Sequence, residues 1–189
     1  MGADPQSAQR HDLVQLGVWM FLATVVMLFA AFTSAYIVRR SASDWTPIEL
    51  PRILWLNTAA LVASSMALER GRSASRRGNT VTARHGLLAA AGLGLIFLGG
   101  QIAAWRELVA RGVYVPTNPH GSFFYVLTAT HGVHVVAGLM LLLYTVTRIW
   151  NVSAHPDRGA PARLIAASVT FWHFLAVLWL YVFVLVSVF

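Results

Sequence analysis

The chain of 189 residues contains no cysteine. Disulfides, thiolate-held iron–sulfur clusters and paired-thiolate copper centres are therefore excluded. Charge is scarce as well: 11% of residues are charged, against about 25% in an ordinary soluble domain. Acidic residues number seven (Asp4, Asp12, Asp44, Glu49, Glu69, Glu107 and Asp157), and none falls in the middle of an apolar run. Proton relays and ion-coupled transporters place carboxylates inside the membrane, so this distribution argues against a pump or transporter acting alone. Lysine is missing too; all 14 basic residues are arginine, for a net charge of +7. In a chain this apolar, that excess reports membrane topology and lipid contact, not nucleic-acid binding.

What is abundant is hydrocarbon, at 57% of residues. Five apolar runs approach the roughly 20 residues that cross a bilayer as helix: 13–38, 53–68, 83–105, 122–150 and 164–189. The fold class is thus an all-α, polytopic bundle of five transmembrane helices. Residues 1–12 form a cytoplasmic tail and 13–189 a single membrane domain. The first run, at 26 residues, exceeds the 7–15 of a signal h-region, so no cleavable signal is expected. Arginine sets the orientation. Arg70, Arg72, Arg76, Arg77 and Arg84 crowd the second loop, which places that loop in the cytoplasm, the N-terminus inside and the C-terminus outside. Nine arginines then lie inside and five (Arg39, Arg40, Arg52, Arg106 and Arg111) outside.

Two ladders of small residues predict close helix pairing: Asn57, Ala60, Ser64, Ala67 on the second run and Gly86, Ala90, Gly94 on the third. Trp19, Trp45, Trp55, Trp105, Trp150 and Tyr144 cluster near run ends, as an interfacial belt does. Trp172 and Trp179 differ. They are seven residues apart, share one face, and have Ala176 between them on that face.

The histidines carry the sharpest question. His131 and His134 lie one turn apart on the fourth run, and His173 lies in the fifth. Paired imidazoles on two helices ligate b-type haem, so a haem-binding electron carrier using His134 and His173 stands as one reading. Their depths would differ by roughly 7 Å at 1.5 Å per residue, which is awkward for axial ligands. The other reading is structural, with each ring bonded to a carbonyl or to a partner such as Thr128, Thr130, Thr170 or Trp172.

Five blocks in order resemble subunit III of the haem-copper (cytochrome c) oxidases, in its five-helix form. They are Gly17-Val-Trp-Met-Phe-Leu; Leu56-Asn57-Thr58 with Ser64-Ser65; Gly94 through Gln101; Gly121-Ser-Phe-Phe leading to His131-Gly-x-His134-Val-x-x-Gly138; and Phe171-Trp172-His173-Phe174 with Trp179-Leu180. The likeness runs from about Gly17 to the C-terminus, and the chain looks like the form lacking the first two of seven helices. The resemblance implies a non-catalytic subunit with no redox centre of its own. Haem and copper would lie in partner subunits I and II. Phospholipid would be bound, and proton uptake by the catalytic subunit sustained, in a bacterial-type inner membrane. Asn57, Gln101, His131, His134, Trp172 and His173 would form an internal polar network. Arg39, Arg84 and Arg148 would meet lipid phosphates, which a guanidinium binds bidentately. Three departures limit the likeness. Val25 stands where many members carry glutamate, Ala176 where many carry aspartate, and Ala104 at a further acidic position. An accessory protein of a nitric oxide reductase or quinol oxidase therefore stays open as an alternative assembly.

Overall fold

The structure, a computed structural model, describes residues 5–115, 118–154 and 162–188. It has five helices: α1 (Pro5–Arg40), α2 (Ile53–Arg76), α3 (Thr80–Ala110), α4 (Pro119–Ala154) and α5 (Ala162–Val188). No strand occurs among the described residues. Four helices are long and apolar enough to cross a membrane, over Leu16–Arg40, Thr80–Ala110, Pro119–Trp150 and Leu164–Val188. The protein is thus a multi-pass membrane protein. α2 is not among the four, because its apolar part ends at Leu68 while the helix runs on through Glu69, Arg70 and Arg72 to Arg76. α1 likewise begins before its apolar run, taking in residues 5–12 of the expected tail. Residues 1–4 and most of the last loop, 155–161, lie outside the described residues.

Helix ends follow local chemistry. The Asn79 carboxamide oxygen accepts from the Thr82 backbone N–H at 2.9 Å, capping α3. Gly78 (φ 76°) and Gly112 (φ 80°) close α2 and α3 in the left-handed conformation that favours glycine.

The two small-residue ladders meet. A Cβ on Gly86 would lie 2.5 Å from the Gly71 Cα and 2.9 Å from the Ala67 carbonyl oxygen. α2 and α3 therefore touch backbone to backbone, the geometry that drives helix pairing where no hydrophobic gain exists between helices. α4 and α5 complete a four-helix core with them. α1 lies outside this core, on α4 and α5, and leaves Met20, Met27, Ile37 and Val38 exposed. A side-chain bond ties it to α5, the Thr33–Tyr181 hydroxyl pair at 2.8 Å.

Candidate functional site

The polar interior is organised by tryptophan. The Trp172 indole donates to the Ser64 hydroxyl at 2.9 Å, and Ser64 donates to the Ala90 carbonyl at 2.8 Å. Trp179 donates to Thr58 at 3.0 Å, and Thr58 to the Leu54 carbonyl at 2.8 Å. Trp105 donates to Thr128 at 3.0 Å, and Thr128 to the Phe124 carbonyl at 2.7 Å. In each case one helix lends an indole, another answers with a hydroxyl, and a backbone carbonyl ends the chain. Hydrocarbon supplies no alternative partner, so each link holds two helices in register. Glycine makes the space: a Cβ on Gly94 would lie 2.6 Å from the Trp172 ring and one on Gly138 3.1 Å from it.

The histidines separate by environment. His131 is fully buried, 5.7 Å from the Phe97 ring and 5.3 Å from the Trp179 ring. Neither of its nitrogens has a protein partner among the described residues. Asn57 packs on Gly100, where any Cβ would overlap its carboxamide, and Gln101 follows on the buried face. The Asn57 amide nitrogen and both amide atoms of Gln101 are also unpartnered. His134 and His173 are half-buried, and each Nδ1 donates to a carbonyl four residues back, Thr130 at 2.7 Å and Val169 at 2.9 Å. Of the six polar residues expected to form one network, no two are directly hydrogen-bonded among the described residues. Trp172 bonds instead to Ser64, outside the six, a partner that spacing alone does not reveal.

Nor do His134 and His173 converge. His134 faces α1, with Phe21 and Phe29 both 6.2 Å from its ring. On α5 it is Phe171 that meets Phe21, at 5.7 Å, and His173 lies about 200° round the helix from Phe171. Two axial ligands for one haem require the rings to face a common gap, and these do not.

The arginines also differ in circumstance. Arg39 forms a two-pronged pair with Asp44, at 2.6 and 2.5 Å. That hydrogen bond holds the Asp44 carboxyl below its ordinary range. The Arg84 guanidinium lies 4.6 Å above the Trp150 ring, a cation–π contact, while Arg148 is exposed.

One cluster escapes any reading of spacing. Trp45 and His120 stack at 5.1 Å, with Tyr36 5.2 Å from the indole and 5.9 Å from the imidazole. The Ile48 backbone N–H donates to His120 Nδ1 at 3.0 Å, pinning the 41–52 loop over the Arg39 end of the bundle. A proline-rich loop followed by Asn118-Pro119-His120 was the only signal.

The chain matches the family described as Cytochrome c oxidase subunit III over residues 6–189. It belongs to the cytochrome c oxidase subunit III family. A cytochrome c oxidase subunit 3 of Synechocystis sp. is 33% identical, across 96% of this chain and 80% of the relative. A probable cytochrome c oxidase subunit 3 of Nocardia farcinica is 30% identical, across 94% and 88%. One of Mycobacterium tuberculosis is 28% identical, across 95% and 90%.

The departures from subunit III now have places. Val25 is 3% exposed and lies one turn from each of Phe21 and Phe29, the two rings that flank His134. A glutamate there would meet that imidazole. Ala176 is 8% exposed, between Trp172 and Trp179 on the face turned to the core. Ala104 is fully buried on the Phe97–Gln101–Leu108 face of α3. All three carboxylate positions are thus interior, and this chain fills each with an apolar side chain.

Proposed function

We propose that this subunit III is a five-span, non-catalytic brace for the haem-copper catalytic subunit I, assembled with subunit II. The membrane is a bacterial-type inner membrane, with the N-terminus in the cytoplasm. Haem and copper belong to the partners, and electrons come from cytochrome c, the substrate that the relatives' names state. The observation that carries the reading is the match over 6–189 together with an interior built for rigidity: indoles clamped on hydroxyls between helices, with no carboxylate at Val25, Ala104 or Ala176. Support for sustained proton uptake therefore comes through shape and lipid, not through a proton carrier inside this chain.

α2 crosses in this reading although it is short. Ile53 to Leu68 spans roughly 24 Å at 1.5 Å per residue; one side of it packs on α3 and α5, and Trp55, Leu56, Val62 and Met66 present the apolar surface that lipid requires. Lipid has two natural places beside the loosely held α1. One is an apolar cavity of about 360 Å³ bordered by Gly17, Phe21, Ala137, Leu141 and Phe171. The other is an open cleft of about 1210 Å³ between α1 and α4, with Arg39 and Asp44 at its rim. Acyl chains suit the first, and Arg148 and Arg84 at the opposite end suit phosphate.

The test is depletion. Oxidase purified without this chain should lose activity progressively over successive turnovers and carry less phospholipid. Undiminished turnover with unchanged lipid content would refute the bracing role.

A further inference from the structure

α5 turns one complete seam away from its own bundle. Ala166, Thr170, His173, Val177, Leu180, Val184 and Ser187 recur at spacings of four and three, and all are exposed except the half-buried His173, third of the seven. That alternation is the heptad pattern that keeps a stripe facing one neighbouring helix crossing at about 20°. The remaining faces of α5 are already occupied: Trp172 and Trp179 by α2, Phe171 and Tyr181 by α1.

The seam also carries polar groups within the span. His173 gives its Nδ1 proton to the Val169 carbonyl, which leaves Nε2 as a lone-pair acceptor with no protein partner among the described residues. Thr170 stands one turn away, exposed. Thr24, Thr33, Thr58, Thr128, Thr145 and Thr147 each donate to a carbonyl of their own helix. Thr170 makes no such bond among the described residues. Lipid tails offer neither donor nor acceptor, so a ring and a hydroxyl held this way at mid-span fit a protein neighbour. α4 carries a similar pair, His134 with its Nδ1 on the Thr130 carbonyl and Thr130 without a hydroxyl bond among the described residues, but Phe21 and Phe29 of α1 pack on that imidazole. The outward face of α4 also shows Val133, Val136, Met140 and Leu143, which suit hydrocarbon.

We propose that this α5 seam docks a transmembrane helix of another oxidase subunit, and that His173 Nε2 accepts a hydrogen bond from a hydroxyl, amide or indole on that helix. The proposal rests on the reading of the chain as an oxidase subunit. Because the chain has no cysteine, a single one can be placed cleanly. Val177→Cys and, on α4, Val133→Cys are each labelled with a maleimide photo-crosslinker in native membranes, and the products are identified by mass spectrometry. The seam position should capture another oxidase subunit and the α4 position only lipid. His173→Leu should lower the fraction of the chain retained on the oxidase in stringent detergent by about threefold to tenfold, and His173→Gln, which keeps an acceptor, should restore it. Capture of lipid alone or of a second copy of this chain at position 177 overturns the proposal, as does wild-type retention of His173→Leu. If position 133 reaches the oxidase and 177 does not, the seam is wrong and the oxidase reading stands. If neither position nor purification finds an oxidase subunit, the oxidase reading itself fails.

Discussion

Gly86→Ala adds one methyl where the α2 and α3 backbones touch. Its Cβ would stand 2.5 Å from the Gly71 Cα, 2.7 Å from the Gly71 nitrogen and 2.9 Å from the Ala67 carbonyl oxygen. Comfortable contacts between such atoms begin at about 3.5 Å, so α2 and α3 must part by close to an ångström. All three obstacles are backbone, and no side chain can swing aside. Overpacking of this kind costs about 1–3 kcal/mol, and the upper half of that range applies here because separating the helices loosens the whole Gly71–Gly86 contact. Alanine returns up to about 1 kcal/mol of helix propensity. The net expectation is a loss of about 1–2 kcal/mol. Gly92→Ala, on the same helix, is the control: a Cβ there meets nothing within 4 Å, so only the propensity gain remains. SDS titration of the purified protein, read by tryptophan fluorescence, measures both. Equal stability of the two variants would refute the backbone-contact argument.

Trp179→Phe removes the indole proton that Thr58 accepts and should cost about 0.5–1.5 kcal/mol in the same titration, with Thr58 still bonded to Leu54. Val25→Glu should be better tolerated with His134 present than in a His134→Leu background, with a coupling of about 0.5–3 kcal/mol in a double-mutant cycle. Asp44 has its folded pKa lowered by Arg39, so its contribution to holding the 41–52 loop is present above the unfolded carboxyl pKa and lost as pH falls through the folded value. Hydrogen-exchange protection factors in that loop, which divide out the intrinsic slowing of exchange in acid, should fall on acidification, less so in high salt, and Asp44→Asn should flatten that dependence. Arg148→Ala should reduce co-purified phospholipid measured by lipid mass spectrometry; unchanged lipid would remove Arg148 from the headgroup contacts.

Hydropathy locates the part of a helix that needs oil, not the part that is helix. The apolar run ending at Leu68 therefore missed the charged turns through Arg76, and the run opening at Leu13 missed Pro5 to Asp12. The small-residue ladders were legible because periodicity is local, and Trp172 with Trp179 on one face followed from a spacing of seven. What spacing could not supply was the identity of partners across helices. Spacing makes Ser64 a small packing residue, yet it accepts the Trp172 indole hydrogen bond from 108 positions away. Position near a run end puts Trp45 in the interfacial belt, yet it also stacks on His120, brought to it by the fold of the 41–52 loop. Of the six residues expected to form an internal network, Asn57, Gln101 and His131 are buried with no hydrogen bond between them among the described residues, while His173 is half-buried between the exposed Thr170 and Val177, a distinction that rests on which way α5 is rotated.

The most direct test of the central claim is to purify the tagged chain from its native membrane in mild detergent, then in stringent detergent, and to record an optical spectrum and a mass-spectrometric inventory at each step. Assembly as an oxidase subunit III predicts that a haem-copper catalytic subunit comes with it, and that all haem absorbance follows that subunit when the two are separated. A chain that emerges alone and coloured would contradict the account and return His134 and His173 to the role of ligands.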